Sequence, residues 1–88
     1  MISLGTVELV ELLSREEIDC DDKTFSRIIT LFLQERLLSE EELANGILVS
    51  LPSVKRWAQG TNLPRLHVRR SICEALAHMI TQRLRRRN

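Results

Sequence analysis

Ser39 and Ser50, eleven residues apart, each precede an apolar run and divide the middle of this chain into two short helices with a tight connection. Ser39-Glu40-Glu41-Glu42 is a capping-box sequence: the serine oxygen accepts an otherwise unpaired backbone N–H, and Glu42 reaches back to the cap just ahead of Leu43. Ser50 is placed to cap the second helix. There Val54, Trp57 and Ala58 lie three and four residues apart and share one face, and Gly60 stands where a helix ends. The outward positions are then Leu51, Pro52, Ser53, Lys55, Arg56 and Gln59, while Trp57 belongs to the core.

A chain of 88 residues suffices for one domain around one small core, and not for a catalytic cleft between two domains. With three glycines, two prolines and no tyrosine, the composition favours helices over sheets, so the expected class is all-α. Five helical segments are expected. The first runs from Thr6 to Ile18, with Glu8, Glu11 and Arg15 as its polar stripe. The second is capped by Asp21 or Asp22 and carries Phe25, Ile28, Ile29 and Phe32 at helical spacing to Leu37. The capped pair follows, and the last helix begins near Pro64 and continues through Val68, Ile72, Leu76, Met79, Ile80 and Leu84.

Net charge is only +1, but it is unevenly distributed: residues 1–48 sum to −7 and residues 49–88 to +8. A basic half that begins at the second capped helix is the electrostatic footprint of a phosphate-binding face. Cys20 and Cys73 form no C-x-x-C pair, so they read as ordinary thiols in a reducing, cytoplasmic setting rather than as a zinc site or disulfide framework. His67 and His78 have no ligand set near them, and neither a metal nor a cofactor is expected. No basic leader precedes the first apolar stretch, and Thr30 interrupts the longest one, Ile28 to Leu33, so neither a signal peptide nor a membrane span is expected. A glycine-rich phosphate loop and a nucleophile with its base are also missing, which argues against an enzyme.

Leu43-Ala44, Val49-Ser50, Val54, Arg56-Trp57, Gly60 and Pro64 resemble, residue type by residue type, the Cro-type (XRE-like) helix-turn-helix family. The resemblance covers Lys23 to Ile80 and is densest from Ser39 to Pro64. It implies a lambda-repressor-like bundle with an extra N-terminal helix, and a recognition helix from Leu51 to Gln59. Two departures stand out. Leu48 occupies the place of the family's turn glycine while Asn45-Gly46 falls two residues earlier, so the first helix of the pair is either weak or ends early at Gly46. Glu40, Glu41 and Glu42 suit a helix N-terminus but repel a phosphate.

On this resemblance the expected function is a sequence-specific DNA-binding regulator, a small bacterial or phage repressor that binds a palindromic operator as a homodimer. The expected contacts are Ser50, Leu51, Pro52, Ser53, Lys55, Arg56, Gln59, Thr61, Asn62 and Arg65. Arg56 is assigned to guanine, whose O6 and N7 accept two parallel donors, and Lys55 to phosphate. Thr61, Asn62 and Arg65 follow the backbone. Arg69 and Arg70 either approach DNA or pair with Glu74, and Arg83, Arg85, Arg86 and Arg87 are either a phosphate-binding arm or cations suited to a helix C-terminus. Three spans are expected: an acidic helix at 1–22, the DNA-binding unit at 23–82 and a basic tail at 83–88. The dimer surface is the N-terminal helix or the last helix with Leu76, Ile80 and Leu84. The competing expectation is an antitoxin or adaptor module whose acidic Thr6 to Asp22 segment binds a basic protein partner.

Overall fold

In a computed structural model that describes residues 3–15 and 20–86, the chain is all-helical, with five helices and no strand among those residues. They are α1 (Leu4–Ser14), α2 (Asp22–Gln34), α3 (Glu40–Gly46), α4 (Leu51–Ala58) and α5 (Leu66–Arg86). The apolar spacing of α2 makes it the central element. Phe25, Ile28, Ile29 and Phe32 are fully buried, with α1 on one side and α4 on another. Leu9, Leu43, Val54, Cys73 and Leu76 close the same core from the other four helices. Each fully buried side chain of this size stabilises by about 1.5–3 kcal/mol, so the packing of α2 dominates the fold.

Side chains satisfy the helix starts as the sequence requires. Asp21 accepts from the Thr24 N–H at 2.7 Å, Ser50 from Ser53 at 3.3 Å, and Ser39 and Glu42 exchange both capping-box bonds, at 3.1 and 3.0 Å. The start of α1 differs from expectation. Ser3 rather than a residue near Thr6 is the cap, and Glu35, at the end of α2, accepts from the Ser3 and Thr6 hydroxyls. A carboxylate from another helix thus sits at the positive end of α1. The helix also stops at Ser14, short of the expected Ile18, which lies outside the described residues.

The last helix corrects two further expectations. It runs unbroken through Arg86, so residues 83–86 are helix rather than a tail; Arg87 lies outside the described residues. Arg69 does not pair with Glu74 or face outward. Its Nη1 donates to Asp22 Oδ1 at 2.7 Å and to the Cys20 carbonyl at 3.0 Å, and its Nε to the Pro64 carbonyl at 2.6 Å.

Helices α2, α3 and α4 end in one and the same way. The residue after each cap turns left-handed, and two backbone bonds close back over the last turn: Arg36 and Leu37 onto Leu33 and Phe32, Leu48 and Val49 onto Asn45 and Ala44, Gly60 and Thr61 onto Trp57 and Arg56. The left-handed residues Arg36, Leu48 and Gly60 have φ of 53°, 58° and 81°. Helix α3 therefore does end at Gly46, but the left-handed turn is made at Leu48. Gly46 serves another purpose, because a Cβ there would fall on the Met79 methyl of α5.

Leu48 is 91% exposed, so its side chain contributes no packing while its backbone carries the cost of a left-handed leucine, about 1–2 kcal/mol. Leu48→Gly is expected to stabilise the protein by about 0.5–1 kcal/mol after the extra freedom of glycine in the unfolded chain is subtracted. A urea melt reads this directly. A lower midpoint in the variant contradicts it.

Candidate nucleic-acid interface

Helix α4 is positioned from its inner face. Val54 is fully buried and Trp57 is 6% exposed, its ring edge-on to Phe25 with centroids 5.6 Å apart. The indole N–H donates to the Asn62 carbonyl at 3.0 Å, tying the loop after α4 to the core. From α2, Ser26 Oγ donates to the Trp57 carbonyl at 2.8 Å and Thr30 Oγ1 to the Ala58 carbonyl at 3.3 Å. These bonds occupy carbonyls that a helix C-terminus leaves unpaired, so α2 fixes the C-terminal end of α4.

None of the ten predicted contact residues is buried. Lys55, Arg56, Gln59 and Arg65 are exposed, and among the described residues no side-chain hydrogen bond or ion pair engages them. They are free to meet an external acceptor. Leu51 and Pro52 open the helix as an apolar step beside them. The remaining polar members do structural work: the Ser50 and Ser53 hydroxyls lie 2.8 Å apart at the cap, and Thr61 Oγ1 donates to the Arg56 carbonyl at 3.1 Å. Asn62 is left-handed at φ 51°, a conformation asparagine tolerates better than most residues.

One cation beside this surface escaped the sequence reading. Lys23 and Gly60 line the same cleft of about 380 Å³, together with Ser26, Thr30 and the Asp22 carboxylate that binds Arg69, so Lys23 stands next to the loop that follows α4. No local pattern signals this, because helix packing alone brings α2 to Gly60. Arg27 lines the cleft too, but its guanidinium is held by Glu8, at 2.8 and 3.0 Å.

The three glutamates of α3 are not equivalent. Glu42 is committed to the capping box, and its hydrogen bonds from Ser39 hold its carboxyl below the usual glutamate range. Glu8 is lowered in the same direction by Arg27, and Asp21 by its Thr24 bonds. A carboxyl with a depressed folded pKa stabilises above its unfolded pKa and loses that contribution as pH falls through the folded value. Acidification below the ordinary glutamate value of 4.5 is therefore expected to lower the melting temperature, and Ser39→Ala to return the Glu42 titration toward that value. Side-chain carboxyl NMR checks both. An unshifted Glu42 in the intact protein contradicts the capping argument.

The acidic segment expected to serve a protein partner is partly spent within the fold. Glu8 binds Arg27, Asp21 caps α2, and Asp22 binds Arg69. Of the two expected dimer surfaces, the last helix has Leu76 and Ile80 buried in its own core, and Leu84 is partly buried against it. On α1, Leu4 is 88% and Val7 41% exposed. No helix among the described residues is long and apolar enough to cross a membrane, and no cluster of three or more metal-ligating side chains occurs among them. No family model, curated protein or solved structure is detectably similar to the chain.

Proposed function

We propose that this chain is a sequence-specific, double-stranded-DNA-binding regulator of the helix-turn-helix kind, acting in the cytoplasm as a repressor and without a reaction of its own. The observation that carries this reading is the two-sided character of α4. Its inner face is locked by Val54 and Trp57, while the exposed Lys55, Arg56 and Gln59 have no side-chain partner among the described residues. This surface lies in the half of the chain that sums to +8. An exposed arginine on a rigid helix suits bidentate donation to guanine, and the lysines suit phosphate.

A single reading helix covers half an operator, so a homodimer on a palindrome is part of the proposal. Exposed apolar side chains are available for that contact on both expected surfaces, Leu4 and Val7 on α1 and Leu66 and Val68 on α5. Selection of bound DNA from a random pool, together with mass in solution, tests both halves, with a palindromic consensus and a dimer mass as the expected pair. Arg56→Ala is expected to erase about 1–3 kcal/mol of preference at one base pair, whereas Lys55→Ala weakens binding to all sequences alike. If neither substitution changes DNA binding, the reading fails and a protein partner for the acidic residues takes its place.

A further inference from the structure

Cys20, just ahead of α2, and Cys73, on α5, are joined in no disulfide and are buried in one core, with Cys20 beside the Cys73 thiol. They are separated by 53 residues, so only the tertiary fold, which sets the segment ahead of α2 against the first turns of α5, brings them together. Arg69 lies one helical turn before Cys73, and its guanidinium holds the backbone carbonyl of Cys20 at 3.0 Å and that of Pro64 at 2.6 Å. Pro64 closes the loop that Trp57 anchors at Asn62. A continuous path thus runs from the thiol pair through one guanidinium to the loop beside α4.

We propose that Cys20 and Cys73 are an oxidative modification site, a dithiol that closes to a disulfide when exposed to hydrogen peroxide and acts on the α4–α5 loop through Arg69. The Cys20 sulfur attacks the peroxide: an S–O bond forms, the O–O bond breaks, and one water leaves. The Cys73 sulfur then attacks the Cys20 sulfenic acid. The S–S bond forms, the S–O bond breaks, and a second water leaves with the Cys73 proton, so two thiols lose two electrons and one peroxide becomes two waters. Cys20 reacts first because it is 8% exposed and Cys73 is fully buried. Burial, with Cys20 beside it, pushes the Cys73 thiol up to about 12, consistent with Cys73 as the second sulfur to react. Sulfurs that are not bonded lie well beyond the disulfide length of about 2.05 Å, so closure draws the Cys20 backbone toward α5 and shifts the carbonyl that Arg69 holds.

The bond itself is independent of the DNA-binding reading; only its effect on operator affinity rests on that reading. The test treats the full chain with hydrogen peroxide. The expected result is an intact mass lower by two hydrogens, a peptide linking Cys20 to Cys73, and a melting temperature higher by about 10 °C or more, all reversed by dithiothreitol. Emission from Trp57, the only tryptophan, is expected to shift on oxidation, and in Arg69→Gln the crosslink is expected to form without that shift. Sulfinic acid without a crosslink overturns the proposal. A crosslink that leaves Trp57 emission unchanged in the natural sequence overturns the route through Arg69. If the crosslink and the emission shift both appear while neither form binds DNA, the regulator reading fails and this inference stands.

Discussion

Trp57→Ala is expected to strip the protein of most of its stability, leaving about 0–2 kcal/mol. Truncating a buried tryptophan costs about 3–5 kcal/mol, against a total stability of about 5–15 kcal/mol for a domain, and a chain this short lies toward the lower end. Two contacts disappear together: the edge-on packing against Phe25 and the indole hydrogen bond to the Asn62 carbonyl. Trp57→Phe separates them. It keeps an aromatic ring beside Phe25 and loses the hydrogen bond, about 1 kcal/mol, felt in the loop, together with the smaller packing loss of one indole ring. Far-UV circular dichroism in a urea titration distinguishes the two variants, and an alanine variant as stable as the parent contradicts the account of how α4 is held.

The second large effect concerns salt. Lys23, Lys55 and Arg65 give each protomer three exposed cations at the proposed interface, hence six for a dimer. For about six phosphate contacts, raising salt from about 50 to about 200 mM lowers affinity about a thousandfold, because each contact releases counterions condensed on the duplex. A plot of log affinity against log salt is then a straight line of slope about −5, and Lys55→Ala, which removes one contact per protomer, flattens it by about 2. Lys23→Ala flattens it equally if the cleft beside Gly60 lies along the backbone. A binding signal indifferent to salt rules out the phosphate-facing role of all three.

The architecture was legible where a residue's task is settled by its near neighbours. The capping box at Ser39 and Glu42, the cap at Ser50, the inward Val54 and Trp57 and the buried stripe of α2 follow from spacings of three and four residues, and each is present. Interactions set by packing were not legible. Nothing near Arg69 in the sequence announces a bond to Asp22 across 47 residues, and nothing near Glu35 announces that it closes the start of α1. The stripe of Leu76 and Ile80 was visible, but spacing alone does not say whether an apolar stripe meets its own core or a second copy, and here the core takes it. The turn before α4 shows a third kind of difficulty. Asn45-Gly46 carries the usual signal for a left-handed residue, yet Gly46 is spent on the close approach of Met79, and the turn is made by an exposed leucine. Of the proposed contacts, the sequence located the outward set on α4 but not Lys23, whose place beside Gly60 exists only once α2 has packed on α4.

The common closure at Arg36, Leu48 and Gly60 places the left-handed residue every twelve positions, and it is made by backbone atoms alone. Exit from α4 is therefore independent of Lys55, Arg56 and Gln59 as side chains, while its entry uses only the Ser50 and Ser53 hydroxyls. Among the described residues no side-chain bond engages Lys55, Arg56 or Gln59, so these three can be exchanged one at a time at little cost to the fold, and under the proposed function such exchanges would change the target without passing through an unfolded ancestor.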